Sequence, residues 1–487
     1  MFVKVERKNL LDSINTASKA VGVGKTQPIV SCLLMEVGDD GVKLTSNNLE
    51  MSIETATIPA IPSMEQIAGK IAIDARMFSD IVRSLPEGEI EISSNDKLIT
   101  LIKSGKSEFK VLGMNPEDFP SIKEITPTGS FMIDCSALHN MIRKTIFCVS
   151  QDTSKPVLTG ALMKVSGGRS TDGGDSEANE VATETSAGHP IATSEGQTAG
   201  EPVEQSSEQT NEPIGGIVEM CTVDGFRVSH IQSPTDYDGD DFTIVIPGRT
   251  LAEIGKMLST AKDSRASIYF DNRKVWFFFD GIKVMSSLID GEFINYTNFF
   301  SVESTSRVRV DRIEFLGAIE RATLLGERKP PIVLDIGDYA MSISARTELG
   351  SMNEEVVIES QGQGMAISFN PRFLADFLKV TSTEYVDMNF SGKLSPCIIH
   401  PVNDDLDIDT ADAIANDSTN VEADSEKTKK AKSDKRSKDI AENKYLLLPL
   451  RLNGAAAATK SGPKGAEPKA TPAPADKPEG DTEAKAA

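Results

Sequence analysis

"DARMFSDIVRSL" (residues 74–85), "IPGRTLAEIGKML" (246–258) and "FNPRFLADFLKV" (369–380) are three versions of one pattern. In each, an Arg is followed four positions later by Asp or Glu, and three positions after that by Arg or Lys: Arg76/Asp80/Arg83, Arg249/Glu253/Lys256 and Arg372/Asp376/Lys379. Apolar residues fill the opposite side, as with Phe78, Ile81, Val82 and Leu85. At about 3.6 residues per turn this spacing predicts an amphipathic helix with one charged stripe. A second, weaker set runs "VERKNLLDSINTA" (5–17), "IDCSALHNMIRKT" (133–145) and "VDRIEFLGAIERA" (310–322).

The pattern has a period. Arg249 precedes Arg372 by 123 residues, and Arg76 precedes Arg249 by 173. Residues 168–215 ("GRSTDGGDSEANEVATETSAGHP…") are a 48-residue stretch without apolar periodicity, and leaving it out shortens the second spacing to 125. In the weaker set Ile14, Ile142 and Ile319 are spaced 128 and, with the same omission, 129. Three units of roughly 120–130 residues therefore make up the core. Each reads as helix, strands, helix, strands, and the opening "MFVKVERKNLL" runs straight into helical periodicity with no signal-type apolar region. The strand segments alternate β-formers around tight-turn dipeptides, as in "SIYFDNRKVWFFFDGIKVMSSL" (267–288).

Composition narrows the function classes. The chain has 487 residues, 39% hydrophobic and 25% charged, which reads as a globular protein of several domains. No apolar run reaches the roughly 20 residues needed to span a bilayer. Cys32, Cys135, Cys148, Cys221 and Cys397 are scattered, odd in number and free of any CxxC, which reads as reduced thiols in a cytoplasm. Three segments carry too little apolar area to offset the entropy of ordering them and are expected to be disordered. They are 168–215, with ten acids against one Arg; 404–442, with twelve acids against seven bases; and the Ala/Pro/Lys/Glu tail 453–487. Together they hold −14 of the net charge of −22 and leave only −8 on the remaining 365 residues. Both internal segments fall where a hairpin turn is expected, between "LTGALMKV" and "GIVEMCTV" and between "SPCIIHPV" and "NKYLLLPLRL". Hairpin tips tolerate insertion because loop-closure cost grows only logarithmically with length.

Catalytic signatures are missing. "GVGKT" (22–26) has Lys19 where a phosphate loop needs its first glycine, and it follows a helix instead of a strand. No GxSxG, HExxH, Cys/His pairing or metal-ligand spacing occurs, so neither a cofactor nor a metal is expected. The charged stripes have two readings. One is a solvated helix face with internal ion pairs, although Arg placed before Asp or Glu at i,i+4 is the less favourable order. The other is that the helices face one polyanion, with basic residues touching phosphates irrespective of base sequence. A repeat scaffold that binds only proteins is the remaining alternative.

The chain resembles the bacterial DNA polymerase III beta subunit family, the replicative sliding clamps. The resemblance covers the whole 365-residue core. It rests on "VERKNLLDSI" (5–14), "LTSNNLEMSIE" (44–54), "FKVLGMNPEDFPSI" (109–122), "TVDGFRVS" (222–229), "IVIPGRTLAEIGKML" (244–258), "LIDGEFINY" (288–296) and "YLLLPLRL" (445–452). It implies an α+β fold of three repeated clamp domains, each with two helices packed on antiparallel sheets. The domains are 1–126, 127–303 with the insert 168–215, and 304–452 with the insert 404–442. It further implies a head-to-tail homodimeric ring, with the helices lining a channel for duplex DNA, no catalytic site and no cofactor. The implied partners are duplex DNA, the polymerase III alpha subunit, the clamp loader and other proteins carrying a clamp-binding peptide.

The same resemblance assigns residues. A partner-peptide cleft is expected from Leu158, Gly225, Phe226, Arg227, Val228, Ile294, Phe299, Asn370, Phe373, Leu446, Leu448, Pro449, Leu450 and Arg451. Phe226 stands where the family has His, Ile294 where it has Pro, Asn298 where it has Arg, and Val223 where it has Thr. Alternation along "YLLLPLRL" is expected to send Leu447 into a domain core and Leu446, Leu448 and Leu450 toward the cleft. The ring interface is expected at Phe109 and Val111 on one side and Leu324 and Leu325 on the other. DNA contacts are expected from Lys25, Arg76, Arg83, Gln151, Lys155, Arg249, Lys256, Arg372 and Lys379.

Overall fold

The computed structural model describes residues 1–23, 27–62, 66–120, 126–167, 215–301, 303–325, 330–403 and 443–451. The insert 404–442, the tail 453–487, Lys25 and all of the insert 168–215 but Gly215 lie outside the described residues. Six helices fall on the two repeated sequence sets: α1 (Arg7–Ala17), α2 (Ala75–Ser84), α3 (Cys135–Thr145), α4 (Gly248–Leu258), α5 (Arg312–Ala322) and α6 (Pro371–Val380). Side chains cap three of them: Asp74 accepts from the Met77 amide, Asp311 from Ile313 and Glu314, and Asn370 from Arg372.

The expected order of helix, strands, helix, strands needs correction. Every helix is entered directly from a strand: Phe2–Glu6, Gly69–Asp74, Gly129–Asp134, Phe242–Pro247, Ser306–Asp311 and Met365–Phe369. At the N-terminus the buried pair Val3 and Val5 marks a half-buried strand. Five or six residues of period two disappear beside the longer helical period that follows, which is why the opening reads as helix.

Each domain closes a core beneath its helix pair. Leu10, Ile14, Phe78 and Val82 anchor the N-terminal one, Leu138, Ile142, Leu251 and Ile254 the central one, and Phe315, Ile319, Leu374 and Phe377 the C-terminal one. The strands outside form three antiparallel sheets of four, nine and twelve strands. The two larger sheets each cross a domain boundary. Ile282–Ser287 of the central domain pairs with Met51–Glu54 of the N-terminal domain. Asn443–Leu447 of the C-terminal domain pairs with the central domain's Arg227–Thr235. Both inserts leave the fold at antiparallel hairpins, between Gly160–Ser166 and Gly216–Val223 and between Cys397–Val402 and Asn443–Leu447.

Among the sheet edges without a partner strand in the described residues are two that match strands of the internal junctions. One is Ser107–Leu112, at the edge of the four-stranded sheet. The other is the first half of Gly350–Gly362, which pairs with Ala340–Thr347 on one side, while Ser306–Val310 covers only Ile358–Gly362 on the other. The helices form one row on the opposite side of the molecule. α1 packs on α2, α3 on α4, α5 on α6 and α3 on α6. Lys19, just after α1, lies in the field of Glu253 and Lys256 of α4.

Candidate partner cleft and DNA-facing helices

The junction of the central and C-terminal domains gathers most of the expected cleft residues. After the strand Gly216–Val223 the chain turns through Asp224, whose Oδ1 accepts from the amides of Phe226 (2.9 Å) and Arg227 (3.1 Å). Gly225 takes φ 91°, a conformation open to glycine, and Phe226 is turned outward and 58% exposed. The Phe226 ring stacks on Phe373 at 6.3 Å, and its carbonyl accepts from the Leu448 amide at 2.9 Å. Leu158, Val223, Val228, Ile398 and Leu446 form the buried floor, over which the connecting segment lays Ile289, Phe293, Tyr296 and Phe300. Ile294, Phe299 and Leu448 stay partly exposed. An apolar floor with exposed aromatic anchors suits capture of a short peptide.

"YLLLPLRL" divides between two jobs. Pairing with the sheet ends at Leu447, immediately before Leu448 and Pro449, the latter having no amide to donate. Tyr445 and Leu447 enter the C-terminal core while Leu446 faces the cleft floor. Leu448 is exposed, and the Leu450 amide donates to the Ser368 carbonyl at 2.7 Å, tying the segment to a second strand. Arg451 is exposed at its end, and Asn370 holds the start of α6.

Arg227, expected in the cleft, is buried at the domain junction. Its side chain is only 6% exposed. Nε donates to Asp224 (2.7 Å), Nη1 to Asp376 on α6 (2.9 Å) and Nη2 to the Phe147 carbonyl (2.7 Å), while the plane covers Phe373 at 4.2 Å. All three nitrogens are engaged, so Arg227 joins the central and C-terminal domains. The acid of the third charged stripe, Asp376, is thus held from outside its helix, and Arg372 approaches it only to 3.9 Å.

A polar cluster fixes the connecting segment on the sheet. Glu219 accepts from His230 Nε2 (3.0 Å) and Tyr296 Oη (2.8 Å), and Lys164 lies 3.5 Å away. The His230 bond, helped by Tyr296 and Lys164, outweighs burial and holds the Glu219 carboxyl at about 2. Its ordinary value is 4.5. A depressed carboxylate stabilises the fold above its unfolded pKa and loses that contribution as pH falls through the folded one. Glu219 is expected to contribute about 3 kcal/mol that fades between about pH 5 and pH 2. Urea unfolding across that range checks it: Glu219→Gln should be destabilised at pH 7 and converge on the parent protein near pH 2.

Along the helix row Arg76, Arg83, Arg249, Lys256, Arg372 and Lys379 are all exposed. Lys256 pairs with Glu253 (2.8 Å), Lys379 with Glu320 (2.9 Å) and Arg83 loosely with Asp80 (3.8 Å). Arg76 and Arg249 have no ion pair among the described residues. Gln151 and Lys155 are exposed on the loop before Pro156. Sequence reasoning missed three arginines with another task. Arg7 donates to the Val82 and Arg83 carbonyls at the end of α2, Arg312 to Leu378 and Thr383 around the end of α6, and Arg143 to Val380. They satisfy carbonyls that a helix end leaves unpaired. The repeated first-position Arg of α1 and α5 was the available signal.

The expected interface residues also separate. Phe109 (36% exposed) and Leu324 (80%) are on the surface, Leu325 is half-buried against the C-terminal core, and Val111 is inside the N-terminal core. Leu112, 73% exposed on the same open edge, was not foreseen.

A threefold repeat with a helix row on one side, sheets on the other and an apolar cleft at a sheet junction defines the class of sliding clamps. The N-terminal, central and C-terminal domain models of the DNA polymerase III beta subunit match residues 1–123, 209–295 and 298–410. This chain belongs to the DNA polymerase III beta subunit family, whose members are non-catalytic processivity factors. A beta sliding clamp from Bacillus subtilis (strain 168) is 28% identical over 415 residues, covering 83% of this chain and 97% of that one. A DNA polymerase III beta subunit structure from Eubacterium rectale ATCC 33656 superposes with TM-score 0.70 at 26% identity, covering 93% of this chain and all of that one. The Bacillus subtilis sliding clamp structure has the same fold, with TM-score 0.70 at 24% identity. No helix among the described residues is long and apolar enough to cross a membrane.

Proposed function

We propose that two copies of this chain close head to tail into a ring around duplex DNA. Replication proteins then dock short peptides in the cleft between the domains 127–303 and 304–452. The observation that carries the ring is the sheet junction, made twice within the chain, together with the open edges Ser107–Leu112 and the first half of Gly350–Gly362, which match the strands of those junctions. Across the existing junctions Val284 meets Ile53 and Tyr445 meets Ser229. The hairpin pairing of Phe109 with Ile102 matches that of Val284 with Phe277, and Met352 with Ala345 matches Ile53 with Ser46. The same junction made a third time sets Phe109 opposite Met352 of a second copy, with Leu324 and Leu325 beside it. Sedimentation would then report twice the 52.5 kDa chain mass.

A closed ring turns the helix row inward, and its unpaired Arg76 and Arg249 supply the sequence-independent attraction that a sliding contact needs. Retention comes from threading, so strong direct contacts are unnecessary. DNA and the polymerase are the partners this reading requires, with the clamp loader and other peptide-bearing factors sharing the cleft. Leu448→Ala is expected to weaken a polymerase-derived clamp-binding peptide about tenfold, as truncating an exposed anchor does. Fluorescence anisotropy checks this, and unchanged affinity would remove Leu448 from the cleft.

A further inference from the structure

The junction of the N-terminal and central domains repeats the architecture of the proposed peptide cleft. Loop 48–51 has the conformation of loop 224–227. Asn48 Oδ1 accepts from the amides of Glu50 (3.0 Å) and Met51 (2.7 Å), as Asp224 Oδ1 does from Phe226 and Arg227. Leu49 takes φ 76° where Gly225 takes 91°. The short helical turn Pro28–Ser31 corresponds to Pro156–Thr159. Met114 crosses to the Ala72 carbonyl as Ile289 crosses to that of Val245. Between these elements lies a cavity of about 790 Å³, lined by Pro28, Ile29, Leu49, Met114, Asp118 and Pro120 among others. It is a wide-open groove, shaped to take an extended chain along the surface.

The charge around it differs in part: Glu117 stands where the other cleft has Glu292, and Asn115 where it has Asp290. Gln27 stands where the other cleft has Lys155, Glu50 where it has Phe226, and Asp118 forms part of the wall. Glu50, Glu117 and Asp118 are exposed and make no ion pair within 4 Å among the described residues, although Glu117 lies in the field of Lys70. Free carboxylates around apolar walls favour cations flanking an apolar anchor.

We infer that this cavity is a second peptide site, selective for a short extended segment with a Leu or Phe anchor flanked by Lys or Arg. The inference rests on reading the other junction as a peptide cleft. Two labelled octapeptides with the same Leu-Phe anchor, one flanked by lysines and one by glutamates, test it on the full chain by fluorescence anisotropy. Leu49→Gly removes a wall residue at a backbone angle that suits glycine, and Asp118→Lys inverts the charge. The lysine peptide should lose about tenfold in affinity in each variant and be indifferent to Leu448→Ala. The glutamate peptide should be insensitive to Leu49→Gly. Lysine-peptide binding that ignores both variants, or that falls only with Leu448→Ala, overturns the second site. Loss of the Leu448 effect on the polymerase-derived peptide would instead overturn the cleft reading. Binding that emerges only after deletion of the chain's own Lys-rich stretch 427–438 would make that stretch the occupant and overturn an external peptide.

Discussion

Arg227→Ala is expected to cost about 3–5 kcal/mol of stability and to loosen the junction of the central and C-terminal domains. The substitution leaves Asp224 and Asp376 without the cation between them, orphans the Phe147 carbonyl and uncovers the Phe373 ring. Charges stripped of a buried partner are far more costly than an exposed pair broken in water. The cleft should fail with the junction, because Val228 and Leu446, paired across it, form part of its floor. Arg227→Lys retains the charge but not the three-way fork and should fall between the two. Denaturant unfolding together with peptide titration checks this. A loss under about 1 kcal/mol for Arg227→Ala would mean that the domains are held by the sheet alone.

The second large effect is on assembly. Phe109→Asp should abolish the dimer while leaving the single chain folded. Phe109 is partly exposed on an open edge, so an aspartate there is solvated in the monomer. In the ring it would face Met352 of the other copy, and an unpaired carboxylate buried there costs several kcal/mol at each of two interfaces. Val111→Asp is the informative contrast. Val111 is fully inside the N-terminal core, so that change should unfold the domain outright. Sedimentation velocity and circular dichroism separate the outcomes. A Phe109→Asp protein that still sediments at twice the chain mass would exclude this edge from the interface.

What the sequence disclosed follows the range of each interaction. The charged stripes of α2, α4 and α6 are local and periodic, so the helices, the repeat and the hairpin positions of both inserts could be read directly. The strands entering each helix could not, because five or six residues give too few alternations. Side chains that act between domains were the least legible. Nothing in "TVDGFRVS" says that Arg227 reaches Asp376, 149 positions away, although the same loop announces its turn through Asp224 and Gly225. The family resemblance pointed to the candidate cleft residues but could not separate the buried Leu158 and Leu446 from the exposed Phe226 and Leu448. That distinction depends on packing: Leu158 and Leu446 join a buried apolar cluster, while Phe226 and Leu448 lie on segments just outside the strands. Val111 and Phe109 differ although both lie on one open edge strand: Val111 packs into the N-terminal core, while Phe109 is partly exposed.

The central claim is that this chain holds DNA by encircling it. The direct test loads the protein onto circular and onto linearised duplex of the same sequence, with the clamp loader and ATP, and follows retention through gel filtration in high salt. The ring predicts protein that stays with the circle and is lost when the circle is cut, independent of base sequence. Equal retention on both forms, or loss from both, would contradict it.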